Sequence, residues 1–574
     1  MWRNDVLGRR WEVQPAPDAA AAARLARELR LPVPFAGLLV QRGHAAPEAA
    51  RRFLRPRRED LHDPSALPDI ATAVDRLVAA VRLGETVFVH GDYDVDGQCA
   101  AAILTRVLRR AGGRAEAFVP HRLRDGYDLS GAGVAAAARS GARVLVTLDC
   151  GTTALVAVRD ARAAGMDVIV VDHHLPGEER PEALALVNPR RPDSRYPFPD
   201  LCGAGLAWKV ALAFATAAQV PDGLPWRLLD LVALATVADL VPLVDENRSL
   251  VRLGLKLMGG TRWPGLAALI AESGLAGKPV RAGHLGFVLG PRLNAAGRVG
   301  DAMDGLRLLL TDDPVEAADL AARLDRLNAE RQALDQRTLD EAMAEVEASF
   351  DPARDFGVVL AREGWHPGVI GIVASRVQER VARPVFLVAL DGDVGKGSGR
   401  SVPGCDLHAA LARCAPLLEK WGGHRMAAGL TIRRERVDGF RAAFVAACAE
   451  QLTPADLVPA QRIDAVVGLA DLTPELEGML RALEPTGVGN PGPVLGLTGL
   501  RVRGAVRRMG DRHVRFTLSD GTGALETVAF GLREDVERTL AAARGTLRAG
   551  VRLERDTWQG RDRLQGRLVA LAGE

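Results

Sequence analysis

The sequence predicts an α/β protein made of two α/β lobes, a long helix and a small C-terminal β-barrel. Three observations carry this. Between about residues 70 and 245, short apolar runs alternate with Ala-rich stretches of helical spacing, the rhythm of repeated βαβ units on a parallel sheet. From Pro314 to about Phe350 no further Gly or Pro interrupts the chain; Pro314 suits a first helical turn and Pro352 follows the end. Beyond about residue 455 the texture changes to alternating segments broken by Gly turns, as in a small barrel.

Residues 1–60 read as helical and accessory, with a helix over 19–31 that Pro32 closes. In the first lobe, helices are expected over 71–81 and 100–110, and strands over 87–90, 115–119, 144–148 and 168–171. The stripe of Leu320, Leu324, Leu327, Leu334, Val346 and Phe350 fits a long helix joining two lobes, and nearly as well one packed within a single lobe. A second α/β segment covers 355–450, with strands at 358–360 and 385–388. The barrel is expected to use strands at 500–506 and 513–519, with Asp520-Gly521-Thr522-Gly523 as a turn. Arg501, Arg503, Arg507, Arg508, Arg512 and Arg515 crowd this region, whereas stacking aromatics are sparse. Phe516 alternates with Val514 and Leu518 as a core residue does, leaving Phe530 and Trp558. No sizeable further domain is expected beyond the barrel.

A formal net charge of +2 over 574 residues does not announce a polyanionic partner, so any basic surface must be local. At roughly 150 residues per domain, about three to five domains are expected. The six cysteines (Cys99, Cys150, Cys202, Cys405, Cys414, Cys448) form no C-x-x-C pair. That argues against a zinc knuckle or a disulfide framework and for reduced thiols in a cytoplasmic protein. The first ten residues have no apolar signal-peptide core. The most apolar stretch, 228–244, is interrupted by Asp230, Asp239 and Pro242, so no membrane span is expected.

Three strands run directly into acids and histidines: 87–97 ends in His90-Gly91-Asp92-Tyr93-Asp94-Val95-Asp96-Gly97, 144–149 in Asp149, and 168–174 in Asp172-His173-His174. Such groups are costly to hold together unless a cation neutralises them, so the pattern points to a divalent-metal hydrolase. Asp92-x-Asp94-x-Asp96-Gly97 opens like a calcium loop, but the twelfth position is Ile103 rather than Glu and the preceding segment is a strand. The alternative spacing, His90-x-x-x-Asp94-x-Asp96, lets Asp94 and Asp96 reach from a loop toward two neighbouring cations. Asp149 could bridge them and His173 could complete one shell. Asp239, a lone acid in an apolar run, needs a partner. Singly, each strand-end Asp could equally cap the next helix. Mixed oxygen and nitrogen donors permit manganese, magnesium or zinc, with manganese favoured by the two histidines.

His-Gly-Asp-Tyr-Asp-Val-Asp-Gly (90–97), Leu-Asp-Cys-Gly (148–151), Asp-His-His (172–174) and Thr-Val-Ala-Asp (236–239) resemble, in order and spacing, the four motifs of the DHH phosphoesterase superfamily. Residues 291–298 (Pro-Arg-Leu-Asn-Ala-Ala-Gly-Arg), 363–371 and 485–491 resemble segments of its RecJ family of single-strand-specific DNA exonucleases. Gly422-Gly423-His424-Arg425-Met426-Ala427-Ala428-Gly429 is similar to the glycine-rich motif of the DHH-associated domain. The resemblance runs from about residue 40 to the end. It implies an accessory segment (1–60), a DHH catalytic domain (61–250), a helical connector (251–350), a DHH-associated domain (351–452) and an OB-fold single-strand-binding domain (453–574).

The resemblance also implies roles. His90, Asp94 and Asp149 match ligands of a first metal; Asp96, Asp149, His173 and Asp239 match those of a second. His174 matches the histidine at the scissile phosphate, and Asp92 a supporting residue. Arg122, Arg298, Ser398 and Arg400 match positions that hold the 5′ end of DNA, while Gly423 and His424 offer close backbone approach and an imidazole to a phosphate. The family pattern has glycine after the Gly-Tyr pair at 126–127, where this chain has Asp128. The implied activity is two-metal, 5′→3′ hydrolysis of single-stranded DNA to mononucleotides in repair and recombination, by a monomer. Single-strand-binding protein and a recombination helicase are the implied partners. The alternatives are a phosphodiesterase for short oligoribonucleotides or cyclic dinucleotides, and a non-catalytic DNA-binding scaffold.

Overall fold

The computed structural model describes residues 8–122, 124–221, 223–556 and 562–574; Trp558 lies outside them. The chain forms two compact units. The first comprises Arg52–Gln332 and Glu484–Pro491, the second the residues up to Arg51, Ala333–Leu483 and Gly492–Glu574.

The first unit is built on a five-stranded parallel sheet in the order Arg114–Phe118, Thr86–Gly91, Val144–Leu148, Asp167–Val171, Ala185–Val187. Its central strands are Val-rich and buried on both faces, which suits a sheet covered by helices on either side. Thr86–Gly91 is the first strand of this sheet in sequence, yet its successors lie on opposite sides of it. The resulting switch point opens a crevice at the carboxyl ends of Thr86–Gly91 and Val144–Leu148. The helix expected over 100–110 begins earlier, at Val95, and runs to Arg110. Asp94 caps it, its Oδ1 accepting from the backbone N–H of Asp96 (2.9 Å) and Gly97 (3.1 Å). Asp96 therefore stands in the first helical turn rather than in a loop.

The long helix spans Pro314–Ser349, 36 residues. Ala317, Leu320, Ala321 and Leu324 are buried in the core of the first unit. Leu339, Ala342 and Val346 pack with Val358, Leu360 and Trp365 of the second. The helix thus contributes one half to each core.

The second unit holds a five-stranded sheet ordered Leu418–Gly423, Ala427–Arg433, Val394–Arg400, Val385–Asp391, Val358–Glu363, parallel only in its last pair. The glycine-rich stretch at 395–401 is largely the central strand. Its glycines let neighbours cross close: a Cβ on Gly399 would sit 2.4 Å from the Phe386 ring. The barrel closes in the order Leu495–Met509, His513–Ser519, Ala524–Ala529, Arg563–Gly573, Leu547–Asp556 and back to the first strand. Phe516 is core and Phe530 is exposed. Arg508 pairs with Glu537 and Arg515 with Glu526. Arg501, Arg503, Arg507 and Arg512 are exposed, with no acidic partner among the described residues. A strand not expected from sequence, Arg10–Val13, pairs in parallel with Ala460–Ile463 and buries Trp11 against Ile463, Val494 and Ala570. All six cysteines are free and buried. Among the described residues no helix is long and apolar enough to cross a membrane.

Gly399→Ala is expected to destabilise the second unit by about 1–3 kcal/mol through overpacking against Phe386. A lowered thermal midpoint for this variant checks it; a parental midpoint contradicts the close approach.

Candidate metal centre

The motif side chains gather at the switch point because each is fixed by its own backbone. Asp149 follows Val144–Leu148 with φ +62, a left-handed conformation, and its N–H donates to Val171 O at 3.0 Å. Gly203 opens the helix Gly203–Ala217 against it; a Cβ there would lie 2.5 Å from Asp149 Cβ. The same helix start holds Asp96, whose Oδ2 and Oδ1 accept from the N–H groups of Gly203 (2.6 Å) and Ala204 (2.7 Å). Asp239 ends the helix Leu229–Ala238.

Three groups of side chains each offer ligand atoms within 4.8 Å of one another: Asp92, Asp94 and Asp149; Asp96, His173 and Asp239; and Asp149, His173 and His174. The groups overlap through Asp149 and His173. His90 stands outside them: its Nδ1 is 3.7 Å from Cys150 Sγ, and its Nε2 faces Gly133, where a Cβ would sit 2.7 Å away. Asp92, a supporting residue by resemblance, lies inside one.

The donor set fits divalent cations. Asp92 Oδ1, Asp149 Oδ1, Asp239 Oδ2 and His173 Nε2 are buried without a hydrogen-bond partner. His173 Nε2 lies 3.0 Å from Asp149 Oδ1, yet not in hydrogen-bond geometry. Burial and the charges of Asp96 and Asp94 push the Asp149 carboxyl well above the usual carboxylate range. Burial and Asp94 do the same to Asp92, and burial and Asp96 to Asp239. Burial and Asp94 push Asp96 up to about 6. Burial lowers His90 to about 4. Burial and the charge of His174 lower His173 to about 3, leaving the neutral imidazole that ligates metal. Bound cations are what allow such carboxylates to ionise together, and oxygen and nitrogen donors without a thiolate suit manganese or magnesium.

Asp172 has a separate task. Its Oδ1 accepts from His174 Nδ1 at 2.7 Å and its Oδ2 from Thr152 N at 3.0 Å. Burial opposes its charge, but the hydrogen bond and charge of His174 outweigh that and hold it well below the carboxylate range. Burial likewise opposes charge on His174, and Asp172 overcomes it, so the imidazole is raised. Asn188 Nδ2 donates to His174 O (2.9 Å), and the Tyr127 hydroxyl lies 2.9 Å from His174 Nε2.

These groups face a cavity of about 290 Å³. Asp94, Asp149, Asp239 and His174 line it together with Arg122, Arg298 and Asn294. The Arg122 guanidinium lies over the Tyr93 ring at 5.0 Å. In the second unit, Arg400 Nη1 donates to Ser398 Oγ at 3.3 Å. Arg400 pairs with Ala427, and Gly423 with Ala428, so Arg400 and the exposed turn at Gly423 and His424 occupy one end of that sheet. Gly423 has φ +140, and a Cβ there would lie 2.5 Å from Ala428 Cα.

Comparison with known proteins identifies the frame. The DHH family N-terminal domain matches residues 86–236, the DHHA1 domain 355–450 and the RecJ OB domain 463–570. The single-stranded-DNA-specific exonuclease RecJ of Dickeya dadantii (strain 3937) is 38% identical over 525 residues, 88% of this chain and 90% of that protein. The chain belongs to the RecJ family. The crystal structure of RecJ from Thermus thermophilus in complex with Mn2+ matches with TM-score 0.85 and 32% identity, covering 98% of this chain and 80% of that one. The Mg2+ complex of RecJ from the same organism matches with TM-score 0.80 and 31% identity, covering 98% and 78%.

Several contributors to this RecJ site were not singled out from sequence. Tyr127 and Asn294 sit inside motif segments in which arginines carry the phosphate-binding signal; Asn294 Oδ1 accepts from Val95 N at 3.2 Å. The adjacency of Asp172 to two histidines was the signal for its orienting role. Gly203 carried no signal, because its contribution is the space it leaves.

Asp149→Asn separates metal binding from stability. In chelator, removing one buried carboxylate relieves repulsion, and Asn accepts the left-handed backbone, so the variant is expected to melt at or above the parent. With manganese at 100 times its Kd, the parent gains about 2.7 kcal/mol and the variant little. Thermal melts with and without manganese check both; an equal gain in the variant removes Asp149 from the site.

Proposed function

We propose that the chain is a single-stranded-DNA-specific exonuclease that hydrolyses phosphodiester bonds at a centre of two divalent cations, releasing mononucleotides in the 5′→3′ direction during DNA repair and recombination. The supporting observation is the cavity that Asp94, Asp149, Asp239 and His174 line together with Arg122 and Arg298: candidate cation ligands and guanidiniums suited to phosphate share one space. When bound, manganese or magnesium supplies an activated water and neutralises the non-bridging phosphate oxygens. Asp94, Asp96, Asp149, His173 and Asp239 would hold the cations, and His90, matched to a ligand by resemblance, would join them only after its ring turns away from Cys150 and Gly133. His174, aligned by Asp172, presents Nε2 to the scissile phosphate and assists protonation of the leaving 3′ oxygen. Arg122 and Arg298 hold the terminal phosphate, which sets cleavage at the 5′ end. Ser398, Arg400, Gly423 and His424 give the second unit a hydroxyl, a guanidinium, exposed backbone and an imidazole for phosphates. Arg501, Arg503, Arg507 and Arg512 let the barrel track the backbone of a single strand with little base preference.

Protein with manganese is expected to release labelled mononucleotide from 5′-labelled single-stranded DNA, and not from duplex, with chelator stopping the reaction. Preferred cleavage of cyclic dinucleotides or short oligoribonucleotides supports the phosphodiesterase alternative, and no cleavage of any substrate supports a scaffold. Asp149→Ala should abolish turnover while keeping most DNA binding; undiminished turnover would rule out its role. Replacing Arg501 and Arg503 together by Gln should weaken single-strand binding and reduce the log–log salt slope by about 0.7 per lost phosphate contact. An unchanged slope sinks the assignment of the barrel.

A further inference from the structure

The segment that carries Arg122 and Tyr127 ends in a residue that binds the turn behind Asp149. Asp128 has φ +71, in the left-handed region where glycine is at home and where the family pattern has glycine. Here the conformation is coupled to side-chain contacts. Asp128 Oδ1 accepts from Gly151 N at 2.7 Å and from Leu129 N at 2.8 Å, and Oδ2 accepts from Thr153 Oγ1 at 3.2 Å. Gly151 lies two residues beyond Asp149 with φ +106, and a Cβ on it would meet Thr147 Oγ1 at 2.4 Å, so that turn has little freedom to move. The preceding residue, Tyr127, places its hydroxyl 2.9 Å from His174 Nε2. A carboxylate repels phosphate, so Asp128 does not hold substrate itself.

We infer that Asp128 is a positioning residue of this RecJ chain: its carboxylate ties the segment bearing Arg122 and Tyr127 to the turn behind Asp149, fixing where a terminal 5′-phosphate is received relative to the metal centre. A glycine at this place supplies the backbone conformation alone. Asp128 adds two cross-loop hydrogen bonds, so Arg122 is referenced to the same turn that carries Asp149. The inference rests on the exonuclease reading for the identity of the phosphate, and not for the tie itself.

Asp128→Gly and Asp128→Asn test it in the full chain. Glycine keeps the backbone conformation and removes the carboxylate; asparagine keeps an acceptor and tolerates the left-handed region. The readout is the ratio of affinities for 5′-phosphorylated and 5′-hydroxyl oligonucleotides, by fluorescence anisotropy with calcium as a non-turnover cation. Asp128→Gly is expected to reduce the parental preference for the 5′-phosphate about tenfold, the loss of a hydrogen-bonded charged anchor. Asp128→Asn should stay within about threefold of the parent on the same hydrogen-bond scale. KM for 5′-phosphorylated single-stranded DNA should rise with kcat nearly unchanged, and hydrogen exchange in a peptide covering 149–153 should accelerate in Asp128→Gly. A parent that does not distinguish the two ends, or an Asp128→Gly variant that keeps the parental ratio, overturns the proposal. A parent that binds with this preference but cleaves no DNA defeats the exonuclease reading instead, and the affinity ratio still decides the role of Asp128.

Discussion

Five carboxylates brought together at the ends of parallel strands repel one another, and burial, full for Asp92, Asp96 and Asp149 and partial for Asp94 and Asp239, deprives them of water that would otherwise screen them. Much of the local architecture exists to hold them despite that. Two helix starts take part of the charge: Asp94 caps Val95–Arg110, and Asp96 accepts two N–H groups at the start of Gly203–Ala217. Asp149 is kept in a left-handed backbone against a glycine. What the helix ends do not offset is left to cations. The cation requirement is therefore a property of the folded chain before any substrate arrives.

A second carboxylate environment lies beside the first. Asp149 and Asp172 end neighbouring strands, yet burial and like charges push one up, while His174 and the N–H groups around it hold the other down. The two environments divide the work, with one set of acids waiting for metal and a single ionised acid fixing an imidazole. Tyr127 and Asn188 complete the second arrangement, the first meeting the His174 ring at Nε2 and the second donating to its backbone carbonyl.

Much of this was legible in the sequence, for physical reasons. Val-rich runs ending in acids can be read because strands buried on both faces need continuous apolar residues and because massed charge at their ends needs neutralising. The 36-residue helix was legible from the lack of Gly and Pro after Pro314. What was not legible depended on pairing at long range. Arg10–Val13 is a strand only because Ala460–Ile463 lies beside it. The stretch at 395–401 is a strand only because Phe386 and Leu430 pack where its side chains would be. At the site, donor identities were readable, but the direction of the His90 ring, the packing at Gly203 and the tie made by Asp128 were not, since each is set by a distant segment.

The central claim is that the cluster at the switch point is built for cations. A manganese-edge anomalous difference map from crystals grown with manganese tests it most directly. Two peaks are expected in the cavity lined by Asp94, Asp149 and Asp239, both lost in Asp149→Asn or one lost and the other weakened. Absence of anomalous density there, with manganese bound elsewhere or not at all, would contradict it.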